Sequence, residues 1–145
     1  MALSVTEEFG IDATPEQVMQ ALLAVDRIPE WSPAHKEVVI ESYDDEGRPR
    51  MVRQTIAMLG VTDVQLLEHF WTDEELRWTL VHSDKQKSQD GTYRVTSGAD
   101  GTVVQASISM EPKIPIPSFL LRQGQKRALS TVKDNLPAFV LANYT

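Results

Sequence analysis

The polar residues that interrupt apolar strand faces are the leads to chemistry. Gln54 lies among Val52, Ile56 and Met58, and Glu68 lies between Leu66 and Phe70. His69 has the other parity, with Leu67 and Trp71, while His82 follows Leu80 on the face of Trp78 and Tyr93 belongs to the next strand. A buried Glu or His with a shifted pKa is the kind of group that removes a proton next to a carbonyl in an aldol cyclisation. It could equally protonate a departing hydroxyl in a dehydration. The plainer reading is a polar residue at a strand end, or a buried Gln or Tyr that closes a hydrogen bond. No two of these residues form a catalytic pair by spacing, so catalytic residues stay unassigned. Which of Glu68 and His69 faces inward is open: one extra residue near Gly60 would send Glu68 to solvent and bring His69 in.

Other chemistries lack their motifs. His35, His69 and His82 show no ligand spacing and the chain has no Cys, so neither a metal nor a cofactor is expected. Gly-x-Gly-x-x-Gly and Gly-x-Ser-x-Gly are absent, which leaves a dinucleotide loop and a hydrolase elbow without support.

The elements that would hold these residues read in order. Leu3, Val5, Glu7, Phe9 and Ile11 alternate as a first strand. Thr14, Pro15 and Gln17 form a capping box for a short helix with Val18, Ala21, Leu22 and Val25 on one face. Pro29 and Pro33 allow only a turn or short helical piece around Ile28-Pro29-Glu30-Trp31. From residue 36 the period becomes two. Six strands follow, near 38–43, Arg50 to Leu59, Val61 to Trp71, 76–82, Lys85 to Val95, and Val103 to Met110. Val64, Leu66, Glu68 and Phe70 are taken as the inner face of the 61–71 strand. After Pro112, Pro115 and Pro117 comes the longest helical pattern, with Leu121, Ala128, Leu129, Val132 and Leu136 as its apolar stripe. Ser118 is the expected N-cap, Gln125 is placed on the face that suits water, and Pro137 should kink or end the helix. Strands joined by short turns, with helices set apart, predict an α+β fold around a seven-stranded antiparallel sheet.

The 145 residues suit a single domain, 1–145, and 41% hydrophobic with 24% charged residues is ordinary for a globular protein. A net charge of −7 argues against nucleic acid as a partner. No apolar run approaches about eighteen residues, so no stable membrane insertion is expected. The absence of Cys and of a signal-peptide pattern fits a cytoplasmic protein. Oligomeric state is not legible.

This order of elements resembles the helix-grip fold of the START-like (SRPBCC) superfamily, and in particular its bacterial polyketide cyclase/dehydrase-type members. The resemblance covers nearly the whole chain. Its local carriers are 11–18 (Ile11 to Val18), 29–33 (Pro29 to Pro33), 76–80 (Leu76 to Leu80), 90–93 (Asp90 to Tyr93) and 117–122 (Pro117 to Arg122). It implies a curved sheet wrapped around the C-terminal helix, two short helical segments between strands 1 and 2, and a deep cavity between sheet and helix. It also implies a hydrophobic or amphipathic small-molecule ligand, such as a lipid, a quinone or a polyketide. The residues expected to line that cavity are Trp31, Gln54, Ile56, Leu66, Glu68, Trp78, His82, Tyr93, Ile108, Leu121, Ala128 and Val132. Its rim is expected at Ile28 to Trp31 and at the loop 113–117. Two alternatives stand beside this binding reading: a polyketide cyclase/aromatase or dehydratase using the same cavity, and an adaptor that receives a partner protein.

Overall fold

The structure, a computed structural model, describes residues 2–58 and 60–145. Seven strands form one antiparallel sheet: β1 (Leu3–Ile11), β2 (His35–Tyr43), β3 (Pro49–Met58), β4 (Val61–Trp71), β5 (Glu75–Ser83), β6 (Gln86–Gly98) and β7 (Gly101–Pro112). Leu59, the expected end of the strand that begins near Arg50, lies outside the described residues. The spatial order is β1-β7-β6-β5-β4-β3-β2, so only the link from β1 to β2 crosses the sheet. That link carries helix α1 (Pro15–Leu23) and a 3-10 turn, Val25–Glu30. Helix α2 (Ser118–Asn143) follows β7. This is the helix-grip arrangement.

Local chemistry explains most boundaries. Thr14 accepts from the Gln17 amide and the Gln17 side chain accepts from the Thr14 amide, so the capping box forms. The Asp44 carboxylate accepts from the amides of Glu46 and Arg48 across the first hairpin, where Gly47 takes a φ of 81°. The arginines near this hairpin pair with carboxylates, Arg50 with the half-buried Glu68 and Arg53 with the exposed Glu41.

Helix α2 departs from expectation at its N-terminus. Its N-cap is Pro117, whose carbonyl takes the Leu120 and Leu121 amides, and Ser118 is already helical. It runs through Pro137 to Asn143. Pro137 removes one backbone donor, but Leu136, Phe139 and Val140 are all buried around it, and that packing holds the last turns in helical form. These residues belong to one buried core cluster with Val18, Ala21, Leu22 and Val25 from the α1 region and Val95, Val104 and Ala106 from the sheet.

Candidate functional site

Between the sheet and the first half of α2 the core is not closed. A cavity of about 90 Å³ remains. Its floor comes from the inward positions of β3 to β7, its roof from Gln125, Ala128, Leu129 and Val132 of α2, and its side from Ile28, Trp31, Ser32, Ala34 and His35. An apolar void of about 150 Å³ holds benzene, and drug-sized ligands occupy about 300–1,000 Å³. The resting void is therefore smaller than one that holds a single ring, and a ring-sized or larger guest must move side chains. Met58 and Met110 in the wall are the flexible ones.

Aromatic rings occupy much of the floor. Trp78 and Tyr93 have centroids 5.3 Å apart, and Trp31 meets Tyr93 edge-on at 6.1 Å. Trp78 lies over Gly91, where an added Cβ would overlap the indole. Gly91 is thus needed for close approach of a ring to the strand. Trp78 Nε1 donates to Gln89 Oε1 at 2.9 Å. Burial pushes the Tyr93 hydroxyl pKa well up, so it stays a neutral phenol.

A chain of polar side chains crosses the floor beside these rings. Asp63 Oδ2 accepts from Ser83 Oγ at 2.6 Å and from Gln65 Nε2 at 3.0 Å. That fixes Gln65 Oε1 toward Gln54 Nε2 at 2.9 Å and Gln89 Nε2 at 3.3 Å. At the far end Ser32 Oγ lies 2.7 Å from His35 Nδ1. A carboxylate only accepts, so Asp63 sets the direction of the amides bonded to it.

Two imidazoles complete the wall. Burial lowers the pKa of His35 to about 4, against a smaller upward pull from Gln54. Burial, with His35 nearby, lowers that of His69 to about 4 as well. Both rings are neutral near pH 7. A general base works best with a pKa close to the working pH, so these rings suit hydrogen bonding better than proton removal. Three wall residues carry a buried polar atom without a protein partner: Trp31 Nε1, His69 Nδ1 and Gln125 Oε1. Among the described residues no group of three His, Asp or Glu could hold a metal ion.

Of the residues expected to line the cavity, Trp31, Gln54, Ile56, Trp78, Tyr93, Ile108, Ala128 and Val132 do so. Four do not. Leu66 and Glu68 lie on the outer face of β4, and Glu68 pairs with Arg50 at 2.9 Å. The β3–β4 register is unbroken from Met58↔Val61 to Met51↔Glu68, so no bulge is involved. The inner parity is simply Asp63, Gln65, Leu67 and His69, and Phe70 also faces out, with the Arg77 guanidinium over its ring. His82 is exposed beside Asp84 because Val81 is an extra residue between Leu80, opposite Leu67, and His82, opposite Leu66. This bulge reverses the alternation and buries Ser83 instead. Leu121 is buried but borders a separate depression with Leu3, Ile114 and Ile116, and residues 113–116 of the loop expected at the rim line that depression instead of the cavity. Gln125, expected on the water side, is buried in the roof.

Residues 2–139 match the family described as polyketide cyclase/dehydrase and lipid transport. Comparison with curated proteins by sequence gives no match. Among solved structures, a START superfamily protein from Mycobacterium smegmatis superposes with a TM-score of 0.84 at 21% identity, covering 97% of each chain. A protein from Thermus thermophilus gives 0.82 at 20% identity over 100% of each chain. The Zhui aromatase/cyclase from a Streptomyces species gives 0.84 at 10% identity, covering 97% of this chain and 94% of its own. At these identities the likeness is one of fold.

Proposed function

The chain belongs to the polyketide cyclase/dehydrase and lipid transport family, and on that premise we propose that it binds a neutral, amphipathic small molecule in the void under α2. The observation that carries this reading is the set of polar atoms left unpaired in a wall whose Gln54, Gln65 and Gln89 amides bond to one another. Trp31 Nε1 can only donate and Gln125 Oε1 can only accept, while His69 Nδ1 can do either according to tautomer. Each such buried atom costs about 1–3 kcal/mol while unpaired. A guest that brings a hydroxyl or a carbonyl recovers part of that cost as the wall adjusts around it. The guest should be uncharged. Among the described residues no Lys or Arg lines the void, so a carboxylate would be buried without a counter-charge.

An acid–base enzyme using the same void is the weaker reading. Glu68 and His82 lie outside it, and its two imidazoles titrate near 4.

Calorimetric titration with a short alkylphenol and with the alkylbenzoate of matching size tests the proposal. The phenol should bind at least about tenfold more tightly near pH 7.5. Equal or tighter binding of the benzoate, or no heat from either compound, would sink it.

A further inference from the structure

One stretch of the chain is set apart by its charge. Residues 113–133 hold five of the fourteen Lys and Arg residues and none of the twenty-one Asp and Glu residues. The segment therefore carries +5, while the remaining nine cations and twenty-one carboxylates leave −12 on the rest of the chain. Two of the five are engaged, Lys133 with Glu7 at 3.3 Å and Lys113 with the Ser83 carbonyl at 2.8 Å. Arg122, Lys126 and Arg127 are exposed on α2.

The same stretch exposes apolar side chains. Phe119 is 70% exposed, Ile114 51% and Leu120 39%. Arg122 follows Phe119 by three residues and Lys126 follows Arg122 by four, so ring and cations share a helix face; Arg127 lies two turns beyond Leu120 on the adjoining face. Apolar side chains in water next to a row of cations are what an interfacial anchor presents to lipid. We propose that the first half of α2 and the loop before it dock on an anionic lipid bilayer. Ile114, Phe119 and Leu120 enter the headgroup boundary, and Arg122, Lys126 and Arg127 meet lipid phosphates. An anionic surface repels the rest of this acidic chain, so the charge asymmetry also fixes the orientation. A bilayer accommodates the exposed ring and the cations together without needing a shaped partner. The proposal does not depend on what the cavity holds.

Sedimentation of the full chain with vesicles of phosphatidylcholine containing about 30% phosphatidylglycerol tests it. The protein should pellet with these vesicles at about 0.1 M salt, not with pure phosphatidylcholine, and should be released at about 0.5 M salt. Arg122→Glu/Lys126→Glu/Arg127→Glu should lower partitioning by more than about 100-fold, and Phe119→Ser/Leu120→Ser by about tenfold. All five side chains are exposed, so both variants should keep a melting temperature close to that of the wild type. Failure of the wild type to pellet with anionic vesicles overturns the assignment and leaves an acidic protein as the occupant of the patch. Equal partitioning of wild type and the folded charge-reversal variant overturns it too.

Discussion

Replacing Ala128 with Phe should abolish phenol binding and leave the protein folded. Ala128 is on the roof of the void, one turn from Gln125 and one turn from Val132. The added group is a benzene ring, which occupies a void of about 150 Å³ when it has one, and only about 90 Å³ is present. The ring fills the space and presses on its walls, an overpacking that costs about 1–3 kcal/mol of stability. Affinity should fall by at least about 100-fold, because the new side chain must leave before a guest can enter. The matching control is Leu66→Phe on the outer face of β4, which should bind as the wild type does. Calorimetry on both variants, with thermal unfolding to confirm folding, checks the expectation. Retained binding by Ala128→Phe would place the site elsewhere.

Mild acid should destabilise the protein through its buried imidazoles. His69 titrates near 4 when folded and near 6.5 as a free side chain. Between those values the unfolded chain binds a proton that the folded chain does not, so stability falls as pH falls through that window. The contribution is fully present above about pH 6.5, and below about pH 4 this group has nothing further to lose. The integrated effect is about 3 kcal/mol for His69, and His35 acts in the same direction. Urea midpoints measured from about pH 7 to about pH 5 should drop in the wild type and drop less in His69→Gln. Equal slopes for the two proteins would mean that His69 is not held neutral by burial.

The position of His69 also shows how far the sequence could be read. Apart from Gln54 and Thr102, the inward residues of β3 and β7 are apolar and alternate cleanly, so Val52, Ile56, Ala106 and Ile108 could be placed by type alone. On β4 the outward residues, Val64, Leu66 and Phe70, are more apolar than the inward Asp63 and Gln65. A strand that floors a polar-lined cavity inverts the usual alternation, and residue type then points to the wrong face. The bulge at Val81 was invisible for a related reason: no Gly marks it, and it appears only in the pairing with β4. Gln125 had a usable signal. It lies four residues from both Leu121 and Leu129, inside the helix stripe, and its polar type outweighed its spacing. Pro137 is the converse case, where packing on both sides overrides a local helix breaker. Asp63, Gln65 and Gln89 carried no spacing motif, because most of their bonds reach other strands: Asp63 to Ser83 of β5, and Gln65 to Gln54 of β3 and to Gln89 of β6.

The central claim is that the void under α2 takes a neutral amphipathic guest that pairs with its unpaired polar atoms. A nitrogen–proton spectrum of the indole and imidazole groups, recorded with and without saturating alkylphenol, addresses it most directly. The expected result is movement of the Trp31 indole and His69 imidazole signals, while the Trp71 indole, bonded at 2.7 Å to the Pro49 carbonyl, stays in place. Unmoved Trp31 and His69 signals at saturation, or movement of Trp71 alone, would contradict the claim.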